Sequence, residues 1–173
     1  MYAMVCTRPD VSCALSMTSR FQSCPGNDHW IAVMNILKYL KRTKDYFLTY
    51  GGDYELCVKG YTDASFQIDK DDYRSQSGYV FILNGGAIRW KSSKQNTVAD
   101  STTEAEHIAT AEAAKEVVWI KNFISELGVV PSVASPIELY CDNNGAITQA
   151  KEPSPNQKSK HVERKFHLIR DTR

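Results

Sequence analysis

Tyr54-Glu-Leu-Cys-Val-Lys-Gly-Tyr-Thr-Asp63 is the stretch on which the fold turns. It follows Gly51-Gly52-Asp53, where the hydrophobic period changes, and reads as a strand that runs directly into Asp63. An acid in a segment otherwise reading as buried strand demands a partner, because an unpaired buried charge is costly. Thr62-Asp63-Ala64-Ser65 offers little turn logic that would supply one locally.

Downstream, a polar loop from Gln67 to Ser77 precedes Gly78-Tyr-Val-Phe-Ile-Leu83 and Ala87-Ile-Arg-Trp-Lys91, which flank Asn84-Gly85-Gly86. That pattern predicts a β-hairpin. Ser101 to Leu127 predicts one long helix closed by Gly128, roughly 40 Å long at 1.5 Å per residue, with Ala105, Ile108, Val117, Ile120, Ile124 and Leu127 facing inward. After a loop from Pro131 to Pro136, Ile137-Glu-Leu-Tyr-Cys141 reads as a strand ending at Asp142, and Gly145 to Ala150 as a short helix. The Pro153-Ser-Pro155 loop leads to a basic helical segment, Lys158 to Arg170.

Upstream, residues 1–50 predict a small helical appendage. Pro9 suits a first helical turn, and Val11, Ala14, Leu15, Thr18 and Phe21 return to one face. Pro25-Gly26-Asn27 breaks the chain, Asn27 or Asp28 caps a second helix, and Trp30, Val33, Leu37 and Leu40 form its core-facing stripe. Lys38, Lys41, Arg42 and Lys44 stand on its remaining surface, as a solvated face or against phosphates. The boundary between a helical unit at 1–50 and an α/β unit at 51–173 falls at Gly51-Gly52.

A length of 173 residues with 42% hydrophobic content suits one compact domain with such an appendage. Lys and Arg total 21 against 20 acids, so affinity for nucleic acid must come from local clustering and not from net charge. The five cysteines contain no CxxC pair, which fits a reduced, intracellular protein. The longest apolar run, Tyr79 to Leu83, is far short of a membrane span, and Arg8 and Asp10 interrupt the N-terminal apolar stretch before it reaches a signal-peptide core. Neither a membrane partner nor secretion is expected.

Three carboxylates sit at the edges of predicted elements: Asp63 in the first strand, Glu104 at the start of the long helix, and Asp142 after the last strand. Such positions converge in α/β folds. Convergent carboxylates repel unless neutralised, which points to a hard divalent cation, magnesium first and manganese as its substitute. Two such ions about 3.5–4 Å apart can activate water and stabilise the leaving oxygen of a phosphodiester. Each acid also has a local reading. Ser101-x-x-Glu104 fits a capping box, and Asp142 before Asn143-Asn144-Gly145 fits a turn or N-cap. Glu104-Ala-Glu-His107 matches the ligand pattern of a di-iron helix, but no second helix of that kind is present. His161 and His167 lack zinc-site spacing, and the cluster Lys158, Lys160, Arg164, Lys165 and Arg170 fits either a phosphate grip or a solvated helix.

Tyr61-Thr-Asp-Ala-Ser65, Ser75-Gln-Ser-Gly-Tyr-Val80, Trp90-Lys-Ser-Ser-Lys-Gln95, Ser101-Thr-Thr-Glu-Ala-Glu106, Leu139-Tyr-Cys-Asp-Asn143 and Lys160-His161 together resemble the ordered motif series of the ribonuclease H domain of copia-type retrotransposons. Met1-Tyr-Ala-Met4, Thr7-Arg-Pro-Asp10 and Leu37-Lys-Tyr-Leu40 resemble the end of the preceding reverse transcriptase and its connection. The resemblance implies an α/β, ribonuclease H-like mixed sheet with flanking helices, and magnesium-dependent cleavage of the RNA strand of RNA/DNA hybrids during reverse transcription, using two ions. It implies metal-binding catalytic roles for Asp63, Glu104 and Asp142, and substrate contacts from Lys160, His161 and Arg164. The partners implied are the hybrid and the reverse transcriptase portion of the same polyprotein, in a cytoplasmic particle or the nucleus. The family continues past the position of Arg173 through another strand and helix bearing a fourth acidic ligand, so the last strand and helix are expected to be missing. A catalytically disabled fragment that only binds nucleic acid is the alternative.

Overall fold

A computed structural model describes residues 2–51, 57–128 and 136–151. Strand β1 spans Val58–Ser65, β2 Gln76–Leu83 and β3 Gly86–Lys94. Asn84 and Gly85 both take positive φ, 50° and 81°, which is the two-residue primed turn that matches the twist of a hairpin. Helix α4 spans Thr102–Leu127, and β4 Glu138–Cys141. The sheet order is β3-β2-β1-β4, with β1 antiparallel to β2 and parallel to β4. The expected α/β class and mixed sheet are therefore present, and this order is compatible with a ribonuclease H-like sheet. The antiparallel hairpin closes locally, whereas the parallel β1–β4 pair needs α4 as its crossover.

Alternation decides which side of β1 is buried. Val58, Gly60 and Thr62 turn toward α4, while Lys59, Tyr61, Asp63 and Ser65 are exposed on the other side. The core between α4 and the sheet consists of Val58, Tyr79, Phe81, Ala113, Val117, Ile120 and Ile124, with Leu83, Ile88, Ile137 and Leu139 packed around them. Gly60 leaves room for this packing: a Cβ there would lie 2.6 Å from the Phe81 ring and 2.7 Å from Leu139. Ala99, Ala105 and Ile108 form a smaller cluster with Ala64 and Phe66 beneath the start of α4. The expected long helix is bounded as read: Ser101 caps it, and Gly128 ends it at φ 65°. Leu127, expected inward, is 53% exposed as the last residue of the helix.

Short helices α1 (Tyr2–Cys6) and α2 (Ser12–Thr18) precede α3 (Asn27–Arg42). They cover part of the opposite sheet face through polar contacts. The Trp90 indole N–H donates to the Met4 carbonyl at 2.6 Å, Gln76 Nε2 donates to Ser16 Oγ at 3.1 Å and to Ser92 Oγ at 2.8 Å, and Arg20 donates to Asp69 at 2.8 Å. Two expectations for α3 are corrected. The helix begins at Asn27 itself, and the Gly26 N–H is held by His29 Nδ1 at 2.8 Å, so neither Asn27 nor Asp28 is its cap. The stripe of Trp30 and Leu37 is 59% and 52% exposed. Among the described residues of α3, Ile36 is the buried one, with Val33 and Leu40 half-buried.

Candidate metal centre

The site forms at the C-terminal ends of β1 and β4. Their parallel register pairs Tyr61 with Tyr140 and Thr62 with Cys141, so the next step along each strand brings Asp63 and Asp142 to the same height. Asp142 is not consumed by a cap. Asn143 Oδ1 accepts the Ala146 N–H at 3.0 Å and begins helix α5 (Asn144–Lys151) in its place. Tyr61 and Tyr140, two residues before each acid, stack at 5.1 Å between ring centroids on the exposed surface.

Helix α4 carries two acids near its start, and they point to different places. Glu104 turns to the helix end: its N–H donates to Ser101 Oγ at 3.1 Å, and its Oε2 accepts the Asp100 N–H at 2.8 Å. This reciprocal cap satisfies two backbone amides and holds the side chain away from the strand ends. Glu106, which was not singled out from the sequence, points toward the strands instead. It is buried, its Oε1 accepts the Ala64 N–H at 3.1 Å, and its Oε2 lies 3.8 Å from the Cys141 sulfur. Among the described residues, the carboxylate oxygens of Glu106 and Asp142 and the sulfur of Cys141 lie within 4.8 Å of one another.

Burial holds the Glu106 carboxyl above its ordinary value, opposed by the Ala64 N–H and reinforced by the negative charges of Asp63 and Asp142. A buried acid with the Asp142 carboxylate within 4.8 Å and the charge of Asp63 nearby is the electrostatic situation that a divalent cation relieves, and the carboxylate oxygens suit a hard ion, although Asp63 is not in that cluster. The residues therefore fit magnesium or manganese. His107 does not join them. It is 1% exposed within the fold, while Glu104 is occupied at the cap, so the di-iron pattern finds no support.

The first turn of α4 is fixed by Gln95, itself 1% exposed, whose Nε2 donates to Ser77 Oγ and to the Ala105 carbonyl, both at 2.9 Å. These bonds tie the backbone next to Glu106 to β2. A groove of about 450 Å³ opens between α2 and the sheet. It is lined by Asp10, Ser12, Tyr61, Gln76 and Trp90, and it reaches Asp63 but not Glu106 or Asp142. Lys160, His161 and Arg164, expected at the substrate, lie outside the described residues. Among the described residues, no helix is long and apolar enough to cross a membrane.

No family model matches the chain. It is 45% identical over 171 residues, 99% of its length, to the retrovirus-related Pol polyprotein from transposon TNT 1-94 of Nicotiana tabacum, of which it covers 13%. It is 36% identical over 165 residues to the Pol polyprotein from transposon RE2 of Arabidopsis thaliana, covering 95% of this chain and 11% of that protein. Secreted RxLR effector protein 161 of Plasmopara viticola is 45% identical over 120 residues, 69% of this chain and 84% of that protein. Near-complete coverage of this chain by the transposon proteins makes the assignment: it belongs to the retrovirus-related Pol polyproteins of copia-type transposons.

Proposed function

We propose that this chain is the ribonuclease H-type part of a retrotransposon Pol polyprotein, and that it hydrolyses the RNA strand of RNA/DNA hybrids with magnesium, or manganese in its place. The observation that carries this reading is the buried Glu106 carboxylate, close to the Asp142 carboxylate after β4 and repelled by the charge of Asp63 on the parallel neighbour β1. The sheet order, compatible with a ribonuclease H-like fold, supports it. So does membership of a polyprotein family in which a reverse transcriptase portion is the expected neighbour and source of hybrid.

Asp63, Glu106 and Asp142 would hold the metal. When bound, magnesium supplies Lewis acidity at the scissile phosphate and a water of lowered pKa. The protein's own contribution is positional. Ala64 holds one Glu106 oxygen and leaves the other turned to Asp142 and Cys141, while Gln95 fixes the helix turn that carries it. Without a cation these acids repel a phosphodiester, so substrate binding and metal binding are coupled. Hydrolysis adds water across the phosphodiester, leaving a 3′-hydroxyl and a 5′-phosphate. Recognition of hybrid shape and the 2′-hydroxyl makes base sequence unimportant.

The test is cleavage of a labelled RNA/DNA hybrid by the folded chain with magnesium, beside a DNA duplex and single-stranded RNA of the same sequence. The hybrid alone is expected to be cut, and Asp63→Asn to lose about a hundredfold in rate or more. An intact hybrid sinks the reading. Salt-sensitive hybrid binding without cleavage would instead make the chain a nucleic-acid-binding module.

A further inference from the structure

Cys141 brings a different chemistry to the same place. It is the last residue of β4 and pairs with Thr62, whose hydroxyl faces Thr110 on α4 at 3.4 Å, so the register turns the sulfur toward the helix and Glu106. Glu106 is 6% exposed. One of its oxygens is satisfied by Ala64. Among the described residues, the other meets no N–H or O–H donor, only the thiol at 3.8 Å, which is a weak partner. A buried carboxylate oxygen is thus aimed, nearly unsatisfied, into the space that it shares with the Cys141 sulfur and the Asp142 carboxylate.

One sulfur and two carboxylates do not make a set that magnesium prefers as a whole, because magnesium takes oxygen ligands and leaves sulfur unused. Thiolate selects softer ions, and zinc accepts sulfur and carboxylate together in a four-coordinate site. We propose that Glu106, Cys141 and Asp142 bind a thiophilic divalent cation, zinc or its probe cadmium, which displaces the magnesium or manganese held by the same carboxylates. The ligation stands on the geometry, whereas the displacement rests on the function proposed above. On binding, the sulfur–metal bond replaces the Cys141 S–H bond and the proton passes to buffer, with no change of oxidation state. The consequence is a site that thiophilic ions block.

Cadmium is added to the full chain, the cysteines are alkylated with iodoacetamide, and each is followed by mass spectrometry. Alkylation of Cys141 is expected to slow about tenfold or more with cadmium and not with magnesium, while the exposed Cys6, Cys13, Cys24 and Cys57 keep reacting. Raising manganese should restore the reactivity of Cys141. Calorimetry should show cadmium binding weakened about tenfold or more in Cys141→Ser and in Asp142→Asn. Equal alkylation with and without cadmium, or equal cadmium affinity in Cys141→Ser, overturns the proposal. Protection that survives unchanged in Asp142→Asn and in Glu106→Gln also overturns it, since sulfur alone would then be the ligand. None of these readings needs catalysis, so a chain that protects Cys141 but never cuts hybrid would refute the nuclease and leave the thiophilic site standing.

Discussion

The two faces of the sheet are closed by different forces. On one, α4 lays Ala113, Val117, Ile120 and Ile124 against Phe81 and Tyr79, with Phe81 fully buried. On the other, the helices before residue 51 are held by a polar knot in which Arg20 and Lys94 share Asp69 at 2.8 and 2.7 Å, and Gln76 bridges Ser16 and Ser92. Apolar contact scales with area and is insensitive to salt, whereas an ion-pair knot depends on pH and ionic strength. The difference teaches which contacts position the candidate site. Glu106 belongs to the apolar side and inherits its rigidity, whereas Asp63 lies on the side that the helices before residue 51 partly cover.

The contrast breaks first if the α4 face is not dominant. Phe81→Ala should cost about 3–5 kcal/mol in urea unfolding, the range for removing a fully buried aromatic ring. Asp69→Asn should cost less, about 1.5–3 kcal/mol, from charge-assisted bonds to two cations. A Phe81→Ala penalty no greater than that of Asp69→Asn would erase the distinction. The acid limb sharpens it. Lys94, with the Asp71 N–H and Arg20, holds the Asp69 carboxyl down to about 2. Its folded value is depressed, so its stabilisation is complete above the unfolded carboxylate range near 4 and is lost as pH falls toward about 2. Melting temperature measured from pH 5 to about 2 should therefore fall less steeply in Asp69→Asn than in the wild-type chain. Identical acid limbs would remove Asp69 as the controlling group. Ser101→Ala, which deletes the cap of α4 without touching either face, should cost only about 1 kcal/mol.

The hairpin and the long helix were legible because local chemistry decides them. Asn84-Gly85 tolerates the positive φ angles of a primed turn, and Ser101 and Gly128 are a cap and a stop in any context. Periodicity told less about α3. It groups residues on a face but does not say which face meets a neighbour, so Trp30 and Leu37 were placed inward and are exposed. The strands that carry Asp63 and precede Asp142 were legible from their alternation. Glu104 and Glu106 both opened the helix, and the more visible signal, Ser-x-x-Glu, belonged to the cap. Residues two positions apart on a helix point about 200° apart, so Glu104 serving the cap leaves Glu106 facing the sheet. The usable sign was register: Glu106 heads the helical spacing that continues through Ala113, Val117, Ile120 and Ile124, and an acid in a buried stripe needs a partner, whereas Asp63, read as an acid in a buried strand, is exposed.

In the function proposed above, Glu106 and not Glu104 completes the metal site with Asp63 and Asp142. The most direct test of that assignment is the magnesium-dependent rate of hybrid cleavage by Glu106→Gln and Glu104→Gln, each shown to be folded. A loss of about a hundredfold or more in Glu106→Gln, with Glu104→Gln within a few-fold of the wild-type rate, is the expected result. The reverse order, or equal losses in both, would contradict it.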